Sequence, residues 1–124
     1  MRIPLDGRVL VITGGGTGIG AATARVAAGA RMSVCVVGRR PEPLQDVVDS
    51  ITATGGQAVA IVADVTDPSS SVRILDEVET RLGFPWAVFA NAGRGLDRTG
   101  HETSPEELRE IFDVNFFSTH AMLA

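Results

Sequence analysis

Four short apolar runs, each followed by a stretch with helical spacing, leave this chain few possible folds. Arg8 to Thr13 (RVLVIT), Met32 to Val37 (MSVCVV), Gln57 to Val62 (QAVAIV) and Trp86 to Ala90 (WAVFA) are apolar, rich in β-branched residues and too short for helices. They read as strands buried on both faces. Between the first two, Ile19, Ala22, Thr23, Val26 and Ala27 repeat at helical spacing, with Gly29 as the stop. Leu44, Val47, Val48 and Ile51 then form one helical stripe, which ends near Gly55-Gly56. Asp67-Pro68 predicts a cap with proline in the first turn. Val72, Leu75, Val78 and Leu82 are the expected buried face of that helix, closed by Gly83 and Pro85. Ser104-Pro105-Glu106-Glu107 has the form of a capping box. Leu108, Ile111 and Phe112 begin the expected buried stripe of a last helix that runs toward Ala124. The strict β-α alternation implies parallel strands joined by right-handed helical crossovers. The expectation is one α/β domain over residues 1–124, a doubly wound parallel sheet in three α/β/α layers.

Composition narrows the chemistry. With 124 residues, 44% of them hydrophobic and 21% charged, the chain suits one small packed domain and is too ordered in character for a disordered segment. A net charge of −4 argues against nucleic acid as a partner. No run approaches the roughly 18 apolar residues of a spanning helix, so no membrane role is expected and a cytoplasmic location is. The single cysteine, Cys35, excludes an internal disulfide and reads as a small core residue. His101 and His120 have no second ligand at a telling spacing, so no metal site is expected. Trp86 reads as packing. All 11 basic residues are arginines, and there is no tyrosine. A Walker phosphate loop, which needs a lysine, is thereby excluded.

The first strand ends in Thr13-Gly14-Gly15-Gly16-Thr17-Gly18-Ile19-Gly20, and a helix follows at once. A tight turn there aims the free N–H groups and dipole of the helix out of the sheet, where they suit a pyrophosphate. A strict G-x-G-x-x-G fails, because a count from Gly14 meets Ile19 in the last place. A relaxed G-x-G-x-x-A falls on Gly16, Gly18 and Ala21. The pattern that fits best is T-G-x-x-x-G-x-G on Thr13, Gly14, Gly18 and Gly20.

At this point the sequence resembles the short-chain dehydrogenase/reductase family in its ordinary, non-extended form. The resemblance continues at Gly38-Arg39-Arg40 closing the second strand, at Asp64-Val65 after the third, at Asn91-Ala92-Gly93 after the fourth and at Asn115 in V-N-F. Ala90 departs from the pattern, since the family usually has an Asn there. The resemblance implies a Rossmann-like fold with strand order 3-2-1-4-5. It implies a cofactor site made of Thr13, Gly14, Gly16, Thr17, Gly18, Ile19, Gly20, Gly38, Arg39, Arg40, Asp64, Val65, Asn91, Ala92 and Gly93.

Each later position also has its own chemistry. Asp64 at a strand end can accept from an adenine amino group, or it can form a turn. Asn91 can tie neighbouring βα turns together, or it is an ordinary turn residue. Gly93 gives clearance under a ribose or nicotinamide. Asn115 falls seven residues after Leu108, in a stripe where an apolar residue is expected, and a buried amide needs a partner. The family makes that partner a water of its proton relay and Asn115 a catalytic residue; a nearby backbone group would serve equally. No carboxylate closes the second strand, and Arg39 or Arg40 can grip a 2′-phosphate, so NADP is expected over NAD. The alternative is that both arginines are solvated turn residues. Arg94 and Arg98 flank the nicotinamide side and would meet an acidic substrate if they are not simply solvated.

The resemblance implies an oxidoreductase transferring hydride between NAD(P) and a small carbonyl or alcohol substrate, and a homo-oligomer, dimer or tetramer, at full length. In the family a Ser, a Tyr and a Lys on a fifth strand and its helix complete the catalytic set. The chain is expected to stop short of them, as a piece ending after the helix that follows strand four, and to be inactive alone. Its fourth strand would then offer an open apolar edge prone to aggregation. Two other readings stand beside this one: a dinucleotide-binding module without catalysis, and an assembly role for the last helix through Phe112, Phe116 and Phe117.

Overall fold

The computed structural model describes residues 2–94 and 100–123. Strands β1 (Val9–Thr13), β2 (Ser33–Gly38), β3 (Gln57–Val62) and β4 (Pro85–Ala90) form one parallel sheet in the order β3-β2-β1-β4. Helices α1 (Gly18–Gly29), α2 (Pro41–Ala53) and α3 (Ser70–Arg81) connect them. After β4 come a short 3₁₀ turn (Gly100–Glu102), α4 (Pro105–Phe112), a π-helical turn (Asp113–Phe117) and α5 (Ser118–Leu123). Among the described residues no helix is long and apolar enough to cross a membrane.

Side chains alternate across the sheet, and both faces are covered. Ile12, Val34 and Val36 point to one side, against Ala21, Ala24 and Ala27 of α1 and Leu44, Val47 and Ile51 of α2. Val9, Val11, Cys35, Val37 and Ile61 point to the other, against Ile74 and Val78 of α3 and Met122 of α5. The result is a three-layer, Rossmann-like α/β/α sandwich.

The strand assignments hold to within a residue or two, but the helix faces need correction. In α1 the buried residues are Gly20, Ala21, Ala24 and Ala27, while Ile19 and Val26 are 72% and 75% exposed. The helix lies so close to the sheet that only glycine and alanine fit beneath it. Gly29 is helical rather than the stop; the left-handed terminating residue is Arg31, at φ 67. In α3 the helix begins at Ser70, and Asp67 caps the preceding turn by accepting from the Ser69 N–H and hydroxyl at 2.9 and 2.8 Å. Its buried face is Ser70, Ile74 and Val78; Leu75 and Leu82 flank it, and Val72 is exposed. Ser104 does cap α4, accepting from the Glu107 N–H at 3.1 Å. The stripe of α4 is not buried, however: Leu108 and Phe112 are half-exposed.

Trp86 occupies an irregularity in the β1–β4 register, where Val9 pairs with Pro85 and Leu10 with Ala87. The extra residue turns its ring outward. The Arg8 guanidinium covers the indole at 4.6 Å, so Trp86 makes a cation–π contact at the sheet margin and is not a core residue.

Candidate functional site

The carboxyl ends of all four strands border one cleft of about 360 Å³. Its walls are Gly14, Gly16 and Thr17 after β1, Val37 to Arg40 at the end of β2, and Pro43 and Leu44 of α2. Ala63, Asp64 and Val65 after β3, then Ala92, Gly93 and Arg94 after β4, with Val114, complete them. The chain runs from β1 to β2 on one side and reaches β4 on the other, so the cleft lies where an open α/β sheet reverses its strand order. Such sheets bind ligands at that point.

The N-terminus of α1 begins at the cleft wall, where its N-cap residue Thr17 is part of the lining. Thr17 is extended and its side chain makes no capping hydrogen bond. The first helical bond runs from the Ala21 N–H to the Thr17 carbonyl at 3.2 Å. The N–H groups of Gly18, Ile19 and Gly20 therefore have no helical acceptor. No acidic residue lies in this first turn. Donors without a helical acceptor, a positive dipole end and no resident carboxylate make a place for an anion.

The turn beneath it is built by close backbone approach. Gly14 has φ +66, and a Cβ there would come within 3.0 Å of the Ala92 Cα. A Cβ on Gly20 would enter the van der Waals envelope of the Gly14 carbonyl and lie 2.7 Å from the Asn91 Nδ2. Asn91 donates its amide to the Gly14 carbonyl at 3.3 Å, and the Ala92 N–H donates to the buried Thr13 hydroxyl at 3.0 Å. Thr13 and Asn91 thus build the turns, and Gly18, Ile19 and Gly20 follow directly on Thr17, the last residue of this wall of the cleft.

Asp64 makes an Asx turn. One carboxylate oxygen accepts from the Thr66 N–H at 3.0 Å and from its hydroxyl at 2.6 Å. These bonds, chiefly that from the hydroxyl, hold the carboxyl below its ordinary range, and nearby Arg39 adds to the effect. Arg39 and Arg40 are both exposed at the cleft margin.

Asn115 is not the buried amide expected. It lies exposed in the π turn, and its side chain pairs with one residue of the main chain. The Arg94 N–H donates to Asn115 Oδ1 at 2.8 Å, and Asn115 Nδ2 donates to the Arg94 carbonyl at 2.8 Å. A nearby backbone group, one of the two partners open from sequence, is thus in contact with it. The clearance at Gly93 is likewise toward this amide, since a Cβ there would meet Asn115 Oδ1 at 2.6 Å.

Arg94, which from sequence was either a contact for an acidic substrate or a solvated side chain and stood outside the expected cofactor site, belongs to the cleft. It lines the cleft and pairs with Glu110 at 2.6 Å. No local spacing signals a partner sixteen residues away across a loop. Arg98 lies outside the described residues. Cys35 is wholly buried, and burial pushes its thiol up to about 12. Among the described residues no group of three metal-ligating side chains gathers.

The profile of the short chain dehydrogenases matches residues 8–124. Versicolorin reductase 1 of Aspergillus parasiticus is 41% identical over 115 residues, which are 90% of this chain and 43% of that reductase. A short-chain type dehydrogenase/reductase from Mycobacterium marinum superposes with a TM-score of 0.92 at 34% identity, over 96% of this chain and 48% of its own. A metagenomic short-chain oxidoreductase solved in complex with NADP gives 0.90 at 30% identity, over 98% of this chain and 55% of its own. The chain thus spans about half the length of the proteins it matches.

Proposed function

The chain belongs to the short-chain dehydrogenase family, and from that premise we propose that it forms the dinucleotide-binding part of an NAD(P)-dependent oxidoreductase acting on a small carbonyl or alcohol. The observation that carries this reading is the uncapped, acid-free N-terminus of α1 opening into the cleft. The fit is steric as well as electrostatic, because a side chain on Gly14 or Gly20 would collide with the turns that shape this cradle. A diphosphate would be held by the backbone from Gly16 to Gly20. Adenosine would lie toward Gly38, Asp64 and Val65, where Asp64 has a second carboxylate oxygen beyond the one used by Thr66. The nicotinamide would lie toward Ala92 and Gly93. When bound, such a cofactor supplies the hydride.

NADP is favoured over NAD. The end of β2 carries Gly38, Arg39 and Arg40 and no carboxylate. A guanidinium there attracts a 2′-phosphate, which an acid would repel. The neighbour solved with NADP supports this choice. Asn115 acts through position: with both ends of its amide engaged by Arg94, it holds the turn that carries Gly93. Neither tyrosine nor lysine occurs in these 124 residues, so the chain alone is expected to bind dinucleotide without turnover.

Titration of the chain with NADPH and NADH, followed by cofactor fluorescence, tests the reading. Binding of NADPH is expected, with loss of it in Thr17→Glu, which sets a carboxylate at the helix end. Arg39→Asp should shift preference toward NADH by about tenfold. Folded chain that binds neither cofactor overturns the reading. Wild-type preference for NADH overturns the 2′-phosphate assignment alone.

A further inference from the structure

We propose that Arg94 is a positioning residue for the nicotinamide half of the dinucleotide, locked in place by Glu110; this rests on the cofactor reading above. Arg94 lines the cleft on the β4 side, whereas Arg39 and Arg40 lie at the end of β2. A diphosphate at α1, with adenosine toward β2 and β3, leaves the second nucleoside to the β4 side.

Three bonds fix Arg94, and all reach the helical segment after β4. Its N–H and carbonyl are both taken by the Asn115 amide at 2.8 Å, and its Nη2 donates to Glu110 Oε2 at 2.6 Å. Glu110 belongs to α4 and Asn115 to the π turn, so the two share the helix face that meets this residue. Isolated surface ion pairs contribute little. This one closes a ring whose other members hold the same residue's main chain, directly beside Gly93, the neighbouring wall of the cleft. Because its charge is matched by Glu110, Arg94 serves as a wall and not as an anion receptor. That weighs against the acidic substrate considered from sequence.

The test compares the tighter-binding dinucleotide, NADPH or NADH, with its adenosine half, adenosine 2′,5′-bisphosphate or ADP, by calorimetry on the whole chain. Arg94→Ala and Glu110→Gln should each weaken the dinucleotide about fivefold while the adenosine half binds as before. The double reversal Arg94→Glu with Glu110→Arg should restore most of the loss. Glu110→Gln keeps Arg94 and its main-chain bonds, so the comparison stands even if Arg94→Ala fails to fold. Equal losses for both ligands, or no loss for either, overturn the positioning role and leave the cofactor reading intact. Wild-type chain that binds neither ligand removes the cofactor reading, and this role with it.

Discussion

A methyl group at residue 20 has nowhere to go, because the Gly14 carbonyl already fills the space. Gly20→Ala should lower stability by about 2–3 kcal/mol in urea titrations, through overpacking of the β1–α1 turn. Asp64 gives a pH dependence whose sign follows from its two Thr66 bonds. Its carboxyl titrates below the ordinary value of 3.8 in the fold, so the stability it contributes is fully present above 3.8. That contribution is lost as pH falls from there through the depressed value. Melting temperatures of wild type and Thr66→Ala, measured between neutral and strongly acid pH, should therefore differ at neutral pH and converge in acid. Cys35 runs the other way. Its thiol is raised from 9.0 to about 12, so stability should decline as pH climbs above 9.0, and a thiol reagent should label it only as fast as the fold opens. At this scale the sequence was legible in kind but not in contact. Asp64 showed itself as a strand-end acid, yet nothing nearby chose between an adenine and Thr66. Asn115 showed itself as a polar residue in an apolar stripe, yet its partner is the backbone of a residue 21 positions earlier.

The strands were the most readable elements, since a run of five or six β-branched and apolar residues between turn formers has few other uses. The helix faces were less so. Apolar periodicity marks Ile19 and Val26 as inward, but the nearness of α1 to the sheet selects residues for smallness, and alanine carries little periodic signal. The end of that helix was hidden for a related reason. Arg31 takes the left-handed position that glycine usually fills, with the Met32 N–H bonded to Ala27 and that of Arg31 to Ala28. Arg31→Gly should remove the Cβ penalty and raise stability by about 0.5–1 kcal/mol, less the loss of the exposed pair with Asp6, as read by thermal unfolding. The capping box of α4 was plain from four residues, and Ser104→Ala should cost about 1 kcal/mol, seen as faster amide exchange over residues 105–112.

For the whole molecule, the alternation of elements implied parallel strands with helical crossovers, and the order of the strands came from the resemblance alone. The covering of the last helical segment was not implied, because apolar spacing says that a face is sticky without saying what meets it. Leu108, Phe112, Phe116 and Phe117 each leave about half or more of their surface in water. An apolar patch of this kind favours association. The pair Phe116→Gln and Phe117→Gln should reduce concentration-dependent light scattering of the chain and change its unfolding free energy by no more than about 0.5 kcal/mol per site. The hydrogen bond from Ala92 to Thr13 has a consequence of another kind. Its partners are 79 residues apart, and the companion bond from Asn91 to Gly14 spans 77. A ribosome that has released the glycine loop has made only half of the cleft. The emerging polypeptide must expose most of itself before the cleft exists, so nucleotide added during translation should protect nothing from protease until the segment beyond β4 has left the exit tunnel.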